Sequence, residues 1–302
     1  MPTPRRVVVK APAKVNLALK VGSLNPDGFH PVETVYQAVD LYDEIVAERS
    51  DILRITCEGE GAEQAGDGPG NLAWRAAELL AAHAGIEPQV HLHITKRIPV
   101  AGGMAGGSAD AAGALVACDA LWQLATPRDE LLMLAARLGS DIPFSLAGGT
   151  ALGRGRGDVL TTMLARGDFY WVFALSSDGL STPAVYNEFD RLNADAGTPE
   201  VSAELIAAIA AGDIRVAAKH LDNDLQVPAI RLRHSLEATL RAGREAGALA
   251  AIVSGSGPTC AFLARDADHA VELAIELQAS GFVQRTVRAT GPVRGAHVTS
   301  IE

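Results

Sequence analysis

One glycine-rich stretch, Pro99-Val100-Ala101-Gly102-Gly103-Met104-Ala105-Gly106-Gly107-Ser108-Ala109, organises the rest of the chain. It places four glycines and three alanines around a single methionine. A strand-like segment at 90–94 precedes it, and an Ala-rich segment at 109–124 that predicts a helix follows. Glycines let the backbone approach an anion closely, and a helix N-terminus adds N–H donors and a positive dipole end. The order strand, glycine loop, helix therefore predicts a polyphosphate site.

Taken alone, the same stretch also suits a flexible turn before an Ala-rich helix, with Ser108 near the helix cap. The lysine of the P-loop motif is missing, and so is the acidic residue of a dinucleotide-binding fingerprint. The length of the loop and the serine at the helix start favour phosphate binding, but the loop does not define a reaction.

Composition excludes several classes of protein. The chain has 302 residues, which suits one large domain or two medium ones, and 48% of them are hydrophobic. A net charge of −10 argues against nucleic acid or an anionic membrane as the main partner. The three cysteines form no CxxC pair and suit a reducing compartment. No signal pattern or membrane-spanning run is seen. We expect a cytoplasmic protein with small-molecule substrates, as a monomer or homodimer, that binds neither nucleic acid nor membrane.

The hydrophobic pattern predicts alternating strands and helices without internal repeats. Residues 5–21 read as two strands with a bend or edge at Pro12. Asn71 is the predicted N-cap of a helix over 72–84 that Gly85 ends. The glycine-rich stretch 148–157 is a candidate domain boundary. The other predicted strands lie at 32–41, 44–48, 52–57, 169–176, 249–253, 259–264 and 283–289. The other predicted helices lie at 127–138, 200–211, 213–220, 229–246 and 266–279, and one more begins at 182 and includes residues 186 and 189.

Two separated residues have the chemistry of a catalytic pair. Asp141 follows a predicted helix in a short segment and could accept a proton from an attacking hydroxyl. Lys14 shares strand parity with Asn16, and its ammonium could keep that aspartate ionised. By composition alone, Asp141 suits a solvated turn and Lys14 a solvent-exposed strand. The turn Gly255-Ser256-Gly257 suits a tight hairpin or a second set of phosphate-binding N–H donors.

Three motifs in this order resemble the GHMP kinase superfamily. They are Ala11-Pro12-Ala13-Lys14-Val15-Asn16-Leu17, the stretch from Pro99 to Ala112, and Ser254-Gly255-Ser256-Gly257-Pro258-Thr259. The resemblance implies an α+β fold with two domains, a ribosomal-protein-S5-like α/β domain at 1–165 and a ferredoxin-like α+β domain at 166–302. The active site would lie in the cleft between them.

A narrower resemblance is carried by Asp27-Gly28-Phe29-His30, Asn71-Leu72-Ala73 and Ser140-Asp141-Ile142-Pro143-Phe144. These segments are similar to the branch of the superfamily that transfers phosphate from ATP to a cytidine-diphosphate-linked methylerythritol in isoprenoid biosynthesis. The resemblance implies that Asp141 is the catalytic base, with Lys14 as its charged partner. It assigns ATP binding to Pro99, Val100, Ala101, Gly102, Gly103, Met104, Ala105, Gly106, Gly107, Ser108, Ala109, Asn71 and Lys96, Mg²⁺ to Ser108, the substrate to Asn16, Phe29, His30 and Tyr186, and a position near the phosphates to Gly255, Ser256 and Gly257.

The loop departs from the superfamily pattern, because Ala101 and Ala105 stand where many relatives have Gly or Ser, and Ala disfavours positive φ. Three other functions remain open at this point. One is a kinase of another small alcohol such as homoserine or mevalonate, which has no use for a cytosine pocket at 27–30. The second is a nucleotide- or sugar-binding regulator without catalysis, which the presence of both Lys14 and Asp141 disfavours. The third is a structural protein, which would need all these motifs to arise by chance.

Overall fold

Two sheets organise the chain in a computed structural model that describes residues 4–100, 102–176 and 179–302. Within those residues the first sheet runs β12-β1-β2-β4-β3, with β5, β6 and β8 attached, and the second runs β11-β7-β10-β9. The strands of the first sheet are β1 (Arg6–Val21), β2 (Val32–Arg49), β3 (Arg54–Gly59), β4 (Val90–Lys96), β5 (Thr150–Arg154), β6 (Val159–Thr162), β8 (Asp222–Asn223) and β12 (His297–Ile301), and those of the second are β7 (Phe169–Leu175), β9 (Ala250–Val253), β10 (Cys260–Ala264) and β11 (Arg285–Gly291).

Helices cover the sheets and complete an α+β arrangement. None in the described part of the chain is long and apolar enough to cross a membrane. They are α1 (Ala62–Ala65), α2 (Leu72–Ala84), α3 (Gly106–Trp122), α4 (Arg128–Leu138), α5 (Ile142–Ala147), α6 (Thr182–Leu192), α7 (Ala203–Ala211), α8 (Ile214–Lys219), α9 (Gln226–Leu232), α10 (Ser235–Glu245) and α11 (Ala267–Ala279).

Helix α3 follows the glycine loop and lies at the centre of the first domain's core. Most of its side chains are alanine or glycine and are buried. A Cβ on Gly113 would overlap the side chain of Ile45 on β2, so this glycine lets α3 approach the sheet closely. The helix begins at Gly106, three residues before the predicted start. The loop is therefore attached directly to an element that cannot shift without disturbing the core.

The predicted helix at 72–84 is confirmed, together with both of its end signals. The Asn71 side chain accepts a hydrogen bond from the N–H of Ala73 (2.8 Å), and Gly85 adopts the left-handed conformation at the C-cap. The predicted helix at 229–246 is wrong as a single element, because a non-helical segment around Arg233 separates α9 from α10.

The two strands predicted over 5–21 are one 16-residue strand, β1, which runs through Pro12. The pairing register with β2 shifts between Pro12 and Ala13. On the other side of β1, the pairing with β12 ends at Lys10. Proline therefore stands where its missing N–H interrupts no ladder on that side. Strand β2 likewise joins the two predicted strands at 32–41 and 44–48.

The C-terminal strand β12 was not predicted, and it returns to the first sheet. It pairs antiparallel with β1, with Val7 opposite Ile301. Sheet membership changes between β6 and β7, on either side of the predicted boundary at 165/166. That boundary stays a prediction, and both β8 and β12 follow it in the sequence but belong to the first sheet.

Candidate active site

Lys14 and Asp141 lie close together, although they are far apart in the sequence. Lys14 projects from the middle of β1, where only 5% of the residue is exposed. Its Nζ donates to Asn16 Oδ1 (2.5 Å) and lies 3.8 Å from Asp141 Oδ2. Asp141 immediately precedes α5 but makes no side-chain cap bond there. The structure thus brings together the residues predicted as base and charged partner, with Asn16 beside them.

The electrostatics of this cluster follow from its burial. Burial lowers the pKa of Lys14, and the negative charge of Asp141 opposes that shift. Burial also raises the pKa of Tyr186 to about 12, with a further contribution from Asp141. An ammonium and a carboxylate in a largely desolvated cluster interact more strongly than they would in water. The arrangement can hold a hydroxyl group between a base and a cation.

Sequence reasoning missed two polar residues of the cluster, Thr34 and Tyr36 on β2. Thr34 Oγ1 accepts from Asn16 Nδ2 (2.8 Å) and donates to the carbonyl of Ala18 (2.6 Å). The Tyr36 hydroxyl donates to Asp141 Oδ1 (3.0 Å). Asn16 stands opposite Tyr36 in the β1–β2 register. That pairing register is the signal that could have identified them, since alternate residues of β2 share the face of Lys14 and Asn16.

The glycine loop is fastened to both halves of the molecule. The carbonyl oxygen of Met104 accepts from the N–H of Lys14 (3.2 Å), and that of Gly103 accepts from Ser254 Oγ (3.1 Å). Ala105 takes φ 61°, so the alanine adopts the left-handed conformation that its residue type disfavours. The predicted contact at Ala101 lies outside the described residues. The loop thus spans from β1 to the turn before β10.

The first turn of α3 completes the loop with N–H groups that have no partner within the helix. Gly106 is buried, Gly107 is exposed and Ser108 is half-buried. Pro99 and Val100 stand half-buried at the other end of the loop, and Ala109 is buried in the core. An anion that approaches Gly107 therefore meets backbone rather than side chains.

The ammonium of Lys96 points beneath the loop instead of into it. It contacts Asp43, donates to Asp110 Oδ2 (2.6 Å) and reaches the carbonyl of Gly106 (3.4 Å), while its side chain is 0% exposed. Asp43 Oδ1 in turn accepts from the backbone N–H of Ile98 (2.8 Å). The buried network therefore fastens both ends of the loop, and the structure does not bring the predicted ATP contact of Lys96 to the loop surface.

The pKa values of Lys96 and Asp110 in this network differ from the ordinary values of these residue types. Burial acts to lower the pKa of Lys96, but the two carboxylates outweigh it and the pKa is raised. Burial raises the pKa of Asp110 to about 8, against the attraction of Lys96. Asp110 Oδ1 has no hydrogen-bond partner among the described residues. Asn71 is another predicted ATP contact whose side chain is already bonded within the fold, because its amide donates to the carbonyl of Gly66 (2.9 Å).

Two further predicted residues, His30 and Tyr186, form an aromatic pair. His30 lies with its side chain 7% exposed, and its ring centroid is 5.0 Å from that of Tyr186. His30 Nδ1 is 2.9 Å from the carbonyl of Gly22, and Nε2 is 3.4 Å from Asp190 Oδ2. The structure does not add Phe29 to this pair. Its ring is half exposed and lies under the guanidinium of Arg156, at 5.0 Å.

The turn at 254–257 joins the hairpin β9–β10 to the catalytic cluster. Asn223 Nδ2 donates to the carbonyls of Val253 (2.7 Å) and Gly255 (2.8 Å), which fixes the turn. A Cβ on Gly255 would lie 3.3 Å from Lys14 Nζ. Ser256 Oγ is 2.8 Å from Thr182 Oγ1. The predicted phosphate-proximal turn therefore borders both the glycine loop and Lys14.

No protein-only metal centre is found among the described residues, since none of their His, Cys, Asp and Glu side chains form a group of three or more that could hold an ion. The hydroxyl of Ser108 stands in the first turn of α3, beside the exposed backbone of Gly107. A single hydroxyl fits an ion that takes its remaining ligands from phosphates and water, as Mg²⁺ commonly does.

Comparison with known proteins gives two domain matches and close relatives. Residues 71–149 match "GHMP kinases N terminal domain", and residues 205–282 match "GHMP kinases C terminal". A curated protein from Streptomyces avermitilis named 4-diphosphocytidyl-2-C-methyl-D-erythritol kinase is 57% identical over 294 residues, which cover 97% of this chain and 99% of that protein.

Two solved structures agree with the fold. A crystal structure of 4-(cytidine 5'-diphospho)-2C-methyl-D-erythritol kinase is 32% identical, with a TM-score of 0.77 over 94% of this chain and 98% of that one. Homoserine kinase from Cytophaga hutchinsonii has a TM-score of 0.78 over 99% of both chains at 18% identity, which shows the fold alone. The predicted two-domain α+β fold is confirmed.

Proposed function

This chain belongs to the GHMP kinases, in the branch of the 4-diphosphocytidyl-2-C-methyl-D-erythritol kinases, and we infer from that membership how its residues perform the reaction. The reaction is ATP-dependent phosphorylation of 4-diphosphocytidyl-2-C-methyl-D-erythritol at its C2 hydroxyl, which yields the 2-phosphate and ADP. It is a step of the non-mevalonate route to isoprenoid precursors. The superfamily predicted from the sequence motifs is confirmed.

One observation carries the mechanism, the approach of Lys14 Nζ to Asp141 Oδ2 at 3.8 Å in a cluster bordered by the glycine loop. We assign Asp141 as the base that accepts the proton of the C2 hydroxyl as its oxygen attacks the γ-phosphorus. Lys14 lies beside that carboxylate and stabilises the charge that develops on the transferred phosphoryl group. Asn16, which accepts from Lys14, would orient the hydroxyls of the acceptor.

The phosphate donor is assigned to the glycine loop and the first turn of α3. Backbone N–H groups there would hold the triphosphate of ATP, and Gly255, Ser256 and Gly257 would close on it from the opposite domain. Ser108 would contact a Mg²⁺ ion that neutralises phosphate charge. Lys96 and Asn71 would support this site from beneath, through the loop and the start of α2.

The cytidine group is assigned to the pocket of His30 and Tyr186. An imidazole and a phenol ring 5.0 Å apart offer aromatic faces on which a base could stack. Phe29 would join that pocket only by turning its ring from Arg156. A cytosine pocket has no use in a homoserine or mevalonate kinase, so these residues favour the cytidine-linked substrate over either alternative.

The remaining expectations stand as proposals. We place the site in a cleft between domains at 1–165 and 166–302 and expect a cytoplasmic monomer or homodimer whose partners are small molecules. The test of the function is ADP release from the purified chain with ATP and 4-diphosphocytidyl-2-C-methyl-D-erythritol, homoserine or mevalonate as acceptor. We expect turnover with the first alone and a C2 phosphate monoester in the ³¹P spectrum. Equal or faster turnover with either small alcohol would contradict the assignment.

A further inference from the structure

Tyr36 contacts Asp141, the residue assigned as the base, and the sequence motifs assign no role to this tyrosine. It lies on β2 with 3% of its surface exposed, and its hydroxyl donates to Asp141 Oδ1 at 3.0 Å. The other carboxylate oxygen, Oδ2, is the one nearest to Lys14. The two oxygens of Asp141 therefore have different neighbours, a phenol on one side and an ammonium on the other.

The ring of Tyr36 is held in place from several directions. It stacks on Phe144 with a centroid distance of 4.8 Å, and Lys14 Nζ lies 5.6 Å from its centroid. A Cβ on Gly157 would overlap the tyrosine hydroxyl, and a Cβ on Gly153 would lie 2.7 Å from the ring edge. The absence of a side chain at Gly153 and at Gly157 therefore leaves room for the ring and the hydroxyl of Tyr36.

We propose that Tyr36 is a positioning residue for proton transfer, which fixes the carboxylate plane of Asp141 so that Oδ2 faces Lys14 and the reacting hydroxyl. The proposal rests on the assignment of Asp141 as the base. A carboxylate rotates about its Cβ–Cγ bond, and a rigid donor on one oxygen removes that freedom before the substrate arrives. Reaction rates depend steeply on such alignment.

Tyr36 remains a donor throughout the working range of pH. Burial and the charge of Asp141 raise its pKa well above the ordinary value of 10.0, so the phenol keeps its proton. Asp141 faces Lys14 from β1 and Tyr36 from β2, and its charge also acts on Tyr186 of α6, while Asp158 acts on Tyr36 from the β5–β6 turn.

The test is Tyr36→Phe, which keeps the ring, its stacking and its contact with Lys14 and removes the hydroxyl. We expect kcat to fall about ten- to a hundredfold, as for a lost hydrogen bond to a charged group. The KM values for both substrates stay within about threefold, since the hydroxyl binds neither.

Tyr42→Phe is the matched control, because Tyr42 lies on the same strand and its ring faces Lys10 and His297. A double-mutant cycle separates positioning from a general loss of structure. In an Asp141→Asn background, Tyr36→Phe should slow single-turnover transfer by less than about twofold, whereas a structural defect slows both backgrounds equally.

Two results overturn the proposal. One is a Tyr36→Phe enzyme whose kcat matches that of Tyr42→Phe. The other is a rise of KM for the cytidine substrate at unchanged kcat, which would make Tyr36 a substrate contact. Failure of the proposed function is distinguishable, because the unsubstituted chain would then phosphorylate no cytidine-linked acceptor at all.

Discussion

Replacing Gly103 by alanine tests whether the glycine loop works through its contact with the turn at 254–257. A Cβ on Gly103 would overlap the carbonyl oxygen of Ser254 and lie 3.1 Å from its carbonyl carbon, at a φ of +76°. The left-handed backbone costs alanine about 1–2 kcal/mol. Loss of the hydrogen bond from Ser254 Oγ to the Gly103 carbonyl lowers the free energy of unfolding by about a further 1 kcal/mol.

The expected total is a loss of about 2–3 kcal/mol in the free energy of unfolding, together with a displaced turn. Because the turn carries Gly255 next to Lys14, we also expect KM for ATP to rise by about tenfold or more, which corresponds to about 1.4 kcal/mol of binding. Urea unfolding followed by circular dichroism measures the first quantity, and ADP release at varied ATP measures the second.

Gly281→Ala provides a control with the same backbone cost and no overlap. Gly281 has a φ of +77°, and a Cβ added there would meet no atom within 4 Å. This variant should lose about 1–2 kcal/mol of stability and keep its KM for ATP. If Gly103→Ala and Gly281→Ala are equal in both stability and KM, the contact between loop and turn contributes nothing and the reasoning is refuted.

Two further variants test the buried network and the aromatic pocket. Burial raises the pKa of Asp110 from 3.8 to about 8, so the folded chain holds a proton that the unfolded chain releases, and the free energy of unfolding should fall as pH rises from 3.8 towards about 8. Asp110→Asn should flatten that slope in urea unfolding at several pH values, and an unchanged slope would place the titration elsewhere. His30→Ala should raise KM for the cytidine substrate about ten- to a hundredfold and leave KM for ATP unchanged. His83→Ala, which removes a surface histidine 3.0 Å from Glu130, should change neither constant, and equal effects of the two would contradict the pocket.

The sequence predicted the residues whose neighbours in the chain form a motif. Lys14 and Asp141 stand in short segments that mark their roles, and the structure places their charged atoms 3.8 Å apart. Helix α2 was predicted to the residue because Asn71 and Gly85 act locally, within one turn of the backbone. Local chemistry of this kind is readable before the fold is known.

Residues that act across strands were not predicted. Tyr36 stands opposite Asn16 in the pairing of β1 with β2 and donates to Asp141, and nothing within β2 itself indicates that pairing. Strand β12 was missed for a similar reason, since its five residues find their partner at the opposite end of the chain. Such contacts depend on tertiary pairing, which short windows of sequence do not contain.

Lys96 shows where a signal in the sequence was not used. Strand β4 alternates regularly, and Lys96 shares the buried face of Val90, Leu92 and Ile94. Its parity indicates an inward ammonium, whereas the family resemblance assigned it an ATP contact. The backbone conformation of Ala105 has no such signal in the sequence, because contacts around the loop hold this residue at φ 61° against the preference of alanine.

The assignment of Asp141 as the base for phosphoryl transfer underlies the whole mechanism, and single-turnover transfer by Asp141→Asn is its sharpest test. The amide keeps the size of the carboxylate and cannot accept the proton. We predict a rate lower by about 10²–10⁴-fold, while equilibrium binding of ATP and of the cytidine substrate stays within about threefold. A transfer rate close to that of the unsubstituted chain would contradict the mechanism.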